Sequence, residues 1–247
     1  MSEAANWNSD TTGVALREGE VHAWRVALNR SEAELVRLRG TLSIEETVRA
    51  DRFYFERDRD AFIATRGTLR ELLGRYLGCA PGEIAFDYGP YGKPHLRGAP
   101  PGLSLDFNVS HSHGLALMAF SLGRKLGIDV ESIRPAVASE EIAERFFSLQ
   151  EVAELRSLPP AMRVAGFFLC WTRKEAYVKA IGDGLQIPLK NFHVSLTPSE
   201  PECLQSADSE RWTLRSLHPG TGFVAALVAE GNDWDLHCWD WIRKREA

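Results

Sequence analysis

The chain has 247 residues, of which 44% are hydrophobic and 26% charged, proportions that exclude wholesale disorder and a disulfide-stapled miniprotein. Its net charge of −5 argues against a duplex nucleic-acid partner. No apolar run approaches the roughly 18 residues of a membrane span, and the N-terminus does not resemble a signal peptide. We therefore expect neither a nucleic-acid nor a membrane partner. The four cysteines form no C-x-x-C pair and are expected to be small core residues of a reducing compartment, which indicates a cytoplasmic protein.

The first half of the chain is predicted to start with a strand at 21–28 and two short helices that begin with capping boxes at Ser31 and Ser43. Apolar residues at helical spacing predict a long helix at about 57–77. After it, strands are expected at 83–88, 105–110, 115–121 and 126–131, with a Gly/Pro-rich connection between the first two.

The second half repeats this order of helices followed by strands. The predicted helices are 139–147, 149–157 and 162–181, and the predicted strands are 191–196, 211–217, 222–229 and 234–241, with a loop at 198–210. Consecutive strands mixed with helices favour an α+β fold with antiparallel sheets over a doubly wound parallel one. We expect two similar halves that meet near residue 125.

Arginines are concentrated between residues 49 and 75, whereas the first lysine of the chain is Lys93. The guanidinium fork matches phosphate, so an arginine-only region suits an anionic ligand. The alternative is a solvated helix with ion pairs, because acidic residues are interleaved. We assign most of these arginines to the alternative.

The segment 126–131 carries two carboxylates on one face of a strand. Ile128 and Val130 alternate with Asp129 and Glu131, so the carboxylates lie on the face opposite the apolar residues. A divalent cation would relieve their mutual repulsion. The alternative is an ordinary strand whose polar face meets water, which is the common case for this pattern alone.

The segment 167–185 is strongly helical and places Glu175 and Lys179 one turn apart. They form either a surface ion pair or a site in which the carboxylate binds a metal and the ammonium binds a phosphate.

A third segment, 107–113, combines Ser110 and His111 at the end of a strand. Adjacent strand residues point to opposite faces, so these two cannot form a nucleophile–base pair, and we interpret them as anion binders. Gly92 beside Lys93 would let the backbone approach a ligand closely.

These segments together resemble the signature of the Sfp-type 4′-phosphopantetheinyl transferases, in the subgroup written W-x-x-K-E-A. The motifs are G-I-D-V-E at 127–131, W-T-R-K-E-A-Y-V-K-A at 171–180, Y-G-K-P at 91–94, F-N-V-S-H-S at 107–112 and E-R-F-F-S at 144–148. Five motifs in the family's order make this resemblance specific over about residues 43–195.

The resemblance implies an enzyme that moves the 4′-phosphopantetheine arm of coenzyme A (CoA) to a serine of an acyl or peptidyl carrier protein and releases adenosine 3′,5′-bisphosphate. It implies Mg²⁺, with Mn²⁺ as a substitute, on Asp129, Glu131 and Glu175, and the CoA pyrophosphate on Lys179. The implied catalytic residues are Asp129, Glu175 and Lys179. The proton acceptor is either Glu175 or a metal-bound water.

The resemblance also implies a set of CoA-binding residues, with Arg49 and His111 nearest the 3′-phosphate. The set comprises Arg49, Gly92, Lys93, Asn108, Ser110, His111, Asp129, Glu175 and Lys179. Glu151 matches an acidic position of the family near the metal, yet Ser148 and Glu151 also form a good capping box. We favour the capping role and leave a secondary catalytic role open.

The implied fold is a pseudo-twofold pair of α+β halves, an N-terminal half at 14–124 that binds CoA phosphates and a C-terminal half at 125–247 that carries the carboxylates. CoA would lie in the cleft of a monomer. Two other functions are consistent with the same residues: a non-catalytic CoA or nucleotide-binding module, and a Mg²⁺-dependent pyrophosphohydrolase. The intact carboxylates and Lys179 argue against the first of these.

Overall fold

The computed structural model describes residues 7–90, 92–98, 104–182, 187–197 and 200–241. The helices are α1 (Glu32–Arg39), α2 (Ile44–Asp51), α3 (Glu56–Leu77), α4 (Glu140–Phe146), α5 (Leu149–Ser157) and α6 (Pro160–Ile181). The strands are β1 (Glu20–Ala27), β2 (Phe86–Tyr88), β3 (Pro94–Leu96), β4 (Leu105–Ser112), β5 (Leu115–Leu122), β6 (Leu126–Ser132), β7 (His193–Val194), β8 (Leu204–Gln205), β9 (Trp212–Leu217), β10 (Phe223–Glu230) and β11 (Asp235–Asp240).

Two main sheets build the molecule. The first has the strand order β11-β1-β5-β4 and the second the order β6-β10-β9. All pairs in these sheets are antiparallel except β1 with β11, which is parallel. The short pairs β2–β3 and β7–β8 are antiparallel hairpins outside the main sheets. The α+β class with mostly antiparallel sheets is thus confirmed.

The two sheets pack face to face, and helices cover their outer faces. In β1, Val21 and Ala23 belong to the core between the sheets, whereas Trp24 and Val26 pack against α1–α3. Helices α4–α6 cover the second sheet in the same way. Successive side chains of a strand point to opposite faces, so β1 buries alternate residues in two different cores.

The predicted helices are confirmed to within a few residues, and so are most strands. Of the strand predicted at 191–196, only His193–Val194 forms. The interval 83–88 is wrong in part, because residues 81–83 form a single 3-10 turn that starts at Pro81 and only Phe86–Tyr88 is a strand. The predicted loop at 198–210 contains β8. Strand β3 was not predicted, because three residues are too few to show a periodic pattern.

The predicted boundary near residue 125 falls between β5 and β6, where the chain passes from the first sheet to the second. Strand β11 then returns to the first sheet, so the end of the chain packs with the N-terminal elements. Within the described part of the chain, no helix combines the length and the apolar character needed to cross a bilayer.

Candidate active site

Strand β6 lies unusually close to helix α6 because residue 127 is glycine. A Cβ atom at Gly127 would lie 2.2 Å from the carbonyl oxygen of Ala176 and 2.3 Å from the amide nitrogen of Ala180. Both are backbone atoms of α6, so only glycine permits this approach. Glu175 and Lys179 are the residues that immediately precede these two contact points on the helix.

Asp129 lies on the face of β6 that meets α6 and is only 4% exposed. Its Oδ1 accepts hydrogen bonds from Ser110 Oγ at 2.8 Å and from Lys179 Nζ at 2.6 Å. Ile128 and Val130 are fully buried between the sheets, so the predicted alternation is confirmed. The expectation that this polar face meets water is wrong at Asp129, because α6 covers it.

Lys179 reaches from α6 to the middle of β6. Its Nζ also donates to Ser110 Oγ at 3.1 Å and to the Ile128 carbonyl at 3.3 Å. Its ion pair is with Asp129, and no ion pair between Lys179 and Glu175 occurs in the described part of the chain. The interpretation of Lys179 and Glu175 as a simple surface pair is therefore wrong.

Glu131 and Glu175 lie close enough to Asp129 to feel its charge. The pKa of Glu175 is raised, first by burial and then by the negative charge of Asp129. The pKa of Glu131 is raised by burial, although a hydrogen bond from Ser112 opposes that shift. The three carboxylates therefore form one electrostatic cluster, and their joint role as metal ligands stays a prediction.

Strand β4 supplies polar side chains to the same cluster. Asn108 Oδ1 accepts a hydrogen bond from the Ile128 amide at 2.9 Å, and Ser110 Oγ accepts one from the Val130 amide at 3.3 Å. The Ser110 hydroxyl is therefore engaged within the protein, and its contact with CoA stays a prediction. Its neighbour His111 points to the opposite, exposed face, as the alternation predicts. Although the residue is exposed overall, neighbouring protein partly desolvates its ring, and this desolvation, together with the positive charge of Lys179, lowers the pKa of His111.

Lys93 links the hairpin β2–β3 to the C-terminal half. Its Nζ donates to the carbonyl oxygens of Leu126 at 3.1 Å and Lys179 at 2.6 Å, and burial lowers its pKa to about 8. Gly92 precedes it in a turn with φ of +79°, a conformation that favours glycine. Tyr91 and residues 183–186 of the motifs lie outside the described residues.

Arg49 is exposed on α2, with its guanidinium 5.1 Å from the centre of the Phe62 ring. No contact between described residues joins it to the carboxylate cluster, so its role at the 3′-phosphate stays a prediction. Elsewhere in the arginine-rich stretch, Arg70 and Arg66 pair with the buried carboxylate of Glu46. The alternative is confirmed in that these arginines form ion pairs, but the pairs are largely buried and join α2 to α3, whereas the alternative expects a solvated helix.

Glu151 lies in the first turn of α5 and is fully buried. Its Oε2 caps helix α5 by accepting from the Ser148 amide at 2.7 Å, and its Oε1 lies 2.8 Å from both Lys174 Nζ and the Val194 amide. The capping box is confirmed. Every one of these partners is structural, which assigns Glu151 to the support of α5 and α6.

The carboxylate oxygens of the cluster are suitable ligands for a divalent cation, although the three side chains do not converge on one point. In the described residues, no group of three or more His, Cys, Asp or Glu side chains has the arrangement of a metal site. However, the buried Oδ2 of Asp129 has no hydrogen-bond partner among them. Three carboxylates with a free buried oxygen are hard ligands of the kind that Mg²⁺ prefers.

Two family profiles match the chain. Residues 125–228 match the 4′-phosphopantetheinyl transferase superfamily, and residues 26–122 match the N-terminal domain of 4′-phosphopantetheinyl transferases. Both segments contain strands of the site, β4 in the first half and β6 in the second. The two matched stretches together include strands of both main sheets, and both profiles describe 4′-phosphopantetheinyl transferases.

Similar proteins agree with this class. The chain is 44% identical to the 4′-phosphopantetheinyl transferase HetI of Nostoc sp., over 94% of this chain and 97% of the relative. It is 31% identical to the 4′-phosphopantetheinyl transferase Sfp of Bacillus subtilis, over 83% of this chain and 89% of the relative. The chain therefore belongs to the 4′-phosphopantetheinyl transferase family, and it is an enzyme of that activity.

Among solved structures, a holo-(acyl-carrier-protein) synthase from Bacillus anthracis in complex with CoA matches 44% of this chain and 96% of its own, with 21% identity and a TM-score of 0.38. That likeness is too distant to add to the assignment.

Sequence reasoning missed two residues of the site, Gly127 as a contact point and Ser112 as a partner of Glu131. The signal for Ser112 is present in the alternation of Asn108, Ser110 and Ser112, which puts three polar side chains on one face of β4. Gly127 carries no such signal, because its role depends on a helix about fifty residues later in the chain.

Proposed function

We propose that this enzyme transfers the 4′-phosphopantetheine arm of CoA to a serine hydroxyl of an acyl or peptidyl carrier protein and releases adenosine 3′,5′-bisphosphate. The observation that carries the proposal is the pair of Lys179 and Asp129 beside Glu131 and Glu175, with Nζ 2.6 Å from Oδ1. A pyrophosphate is stabilised by nearby positive charge. Here the lysine supplies a fixed cation, and the carboxylates supply a site for a metal ion. The family membership supports the nature of the transferred group.

Asp129, Glu131 and Glu175 are the residues proposed to hold Mg²⁺ or Mn²⁺. The cation, when bound, would neutralise negative charge on the pyrophosphate. The uncompensated Oδ2 of Asp129 and the raised pKa values of both glutamates support this assignment.

In the reaction, the oxygen of the carrier serine attacks the phosphorus that bears the pantetheine arm, and a new P–O bond forms. The bond from that phosphorus to the bridging oxygen breaks, and its electron pair leaves with adenosine 3′,5′-bisphosphate. Lys179 stabilises the negative charge that develops on this leaving group.

The proton of the attacking hydroxyl passes to Glu175 in this proposal. No hydrogen bond in the described part of the chain involves the Glu175 carboxylate, in contrast to Asp129 and Glu131, which each accept one from a serine of β4. Burial raises the pKa of Glu175 in the absence of a cation. A Glu175 oxygen that the cation does not use is the proposed proton acceptor.

The phosphates of CoA are proposed to lie across the two halves, with the 3′-phosphate near Arg49 and His111. A cavity of about 230 Å³ between β3, β4 and the end of α6 is proposed as part of this site. Its titratable lining residues are the basic Lys93, His95 and Lys125 and one acidic residue, Asp106. Three basic side chains at one cavity suit an anionic ligand. We further propose that the enzyme acts as a cytoplasmic monomer.

The test is an incubation of the purified protein with CoA, Mg²⁺ and several apo-carrier proteins, followed by mass spectrometry of both the carriers and the nucleotide products. We expect one carrier to gain the phosphopantetheine mass while adenosine 3′,5′-bisphosphate accumulates. Asp129→Ala should lower the rate by orders of magnitude, and the exposed Asp233→Ala should not. Cleavage of CoA with no mass gain on any carrier would instead support the pyrophosphohydrolase.

A further inference from the structure

Strands β4 and β6 are edge strands of different sheets, and polar side chains join them. Three consecutive inward residues of β4 each accept a hydrogen bond from an alternate amide of β6. The bonds run from the amides of Ile128, Val130 and Ser132 to Asn108 Oδ1, Ser110 Oγ and Ser112 Oγ, at 2.9, 3.3 and 3.1 Å. The two-residue repeat fixes the register of one half of the molecule against the other.

The two serines of this repeat also donate hydrogen bonds to the carboxylates of β6. Ser110 Oγ donates to Asp129 Oδ1 at 2.8 Å, and Ser112 Oγ donates to Glu131 Oε2 at 3.0 Å. Each hydroxyl thus accepts from one backbone amide of β6 and donates to the carboxylate of the preceding residue. A hydroxyl has one donor and two acceptor sites, so this use fixes the direction of its proton.

The result is that each carboxylate is held by one oxygen. The buried Oδ2 of Asp129 has no partner among the described residues. For Glu131, the hydrogen bonds between described residues involve Oε2 and leave Oε1 unused. A carboxylate that is fixed by one oxygen and free at the other is a ligand with little rotational entropy to lose.

We propose that Ser112 is a positioning residue that pre-orients Glu131 as a ligand of the divalent cation, in the same manner as Ser110 orients Asp129. This inference rests on the proposed function, in which Glu131 binds the metal. Arg134, whose Nη2 lies 3.6 Å from Glu131 Oε2, is more distant and half exposed, so it restrains the carboxylate less. Without the Ser112 hydroxyl, Glu131 would sample other rotamers.

The experiment compares the wild type with Ser112→Ala, Ser112→Thr and a matched control, Ser121→Ala. Ser121 is also a buried serine of the first sheet, but its Oγ donates to the Arg124 carbonyl at 2.6 Å, away from the carboxylates. Mn²⁺ is titrated into each protein with saturating CoA, and free Mn²⁺ is measured by its electron paramagnetic resonance signal against a blank of CoA alone. Thermal melting and the Mg²⁺ dependence of carrier modification are recorded in parallel.

We expect Ser112→Ala to weaken Mn²⁺ binding about tenfold, the size of one lost hydrogen bond to a charged group. The Mg²⁺ concentration at half-maximal rate should rise equally, with little change in kcat at saturating metal. Ser112→Thr, which keeps the hydroxyl, and Ser121→Ala should bind Mn²⁺ as the wild type does, although Ser121→Ala should also lower the melting temperature.

Two results would overturn the inference, and they differ. If the wild type binds Mn²⁺ and Ser112→Ala binds it with the same affinity, Ser112 does not position the ligand, and the metal proposal stands. If the wild type itself shows no Mn²⁺ binding beyond the CoA blank, the metal assignment fails and this inference fails with it.

Discussion

Replacement of Gly127 by alanine tests whether the close packing of α6 on β6 creates the site. The new Cβ would lie 2.2 Å from the Ala176 carbonyl oxygen, 2.3 Å from the Ala180 amide nitrogen and 2.7 Å from the Lys179 carbonyl carbon. All three are helix backbone atoms, so no side-chain rotation can relieve the overlap. The helix must move away from the strand by about 1 Å to reach an ordinary contact.

Both stability and activity should fall. Overpacking of this kind costs about 1–3 kcal/mol of unfolding free energy. The same movement would carry Glu175 and Lys179 away from Asp129, and a misplacement of about 1 Å can reduce a rate roughly a hundredfold. We therefore expect Gly127→Ala to fold with reduced stability and to lose far more activity than its stability loss explains.

The assay is urea unfolding together with the rate of carrier modification measured where the variant is fully folded. Gly82→Ala is the control, because a Cβ at Gly82 would meet no atom within 4 Å and its φ is not in the left-handed region; alanine there should be neutral or slightly stabilising. If the unfolding free energy of Gly127→Ala lies within about 0.5 kcal/mol of the wild-type value and its rate within twofold, the close packing of α6 on β6 does not create the site.

Four further predictions concern single side chains. Lys179→Met should fold cooperatively but lose at least about a hundredfold in rate, measured as kcat/KM for CoA, because the charge on the leaving phosphate is left uncompensated. Glu151→Gln should lower the unfolding free energy by about 3–5 kcal/mol, measured in urea, because Lys174 is then buried without its counter-charge, while the rate per folded molecule should hold. Arg49→Ala should reduce the preference for CoA over dephospho-CoA about tenfold in competition binding. Burial lowers the pKa of His22 to about 4 in the folded chain. The unfolded chain therefore binds a proton at His22 below about pH 6.5, whereas the folded chain binds it only below about pH 4. Stability should therefore fall by about 3 kcal/mol between pH 7 and pH 4, and His22→Gln should reduce this fall in urea titrations.

Each of these predictions has an outcome that contradicts it. Unchanged turnover with a large loss of stability would make Lys179 a structural residue, and a slow but stable Glu151→Gln variant would make Glu151 catalytic. The neighbouring Arg52→Ala is the control for Arg49, and equal effects of both variants would remove the specific role at the 3′-phosphate. An acid sensitivity that is identical in wild type and His22→Gln would place its origin in other groups.

Much of the architecture is readable from the sequence because the signals are local. The capping boxes at Ser31, Ser43 and Ser148 mark helix starts that the structure confirms, since each box needs only residues three positions apart. Alternation along β6 correctly separates Ile128 and Val130 from the carboxylates. The chemistry of the site follows from the residue types in the same short segments.

The tertiary structure alone decided which groups meet. In the sequence the nearest candidate partner of Lys179 is Glu175, one turn away, and only the approach of α6 to β6 shows that the partner is Asp129, fifty residues away. Lys93 has the charge of a phosphate ligand, yet packing turns its Nζ to two backbone carbonyls. The sequence by itself determined the family, through the resemblance of its motifs, and the class of fold, through local periodicity. It also supplied the candidate carboxylates and lysine by residue type, because none of these signals requires a contact with a distant element. The contacts of Gly127, Ser112 and Lys93 were decided only in three dimensions, because each depends on how closely two elements distant in the chain approach one another.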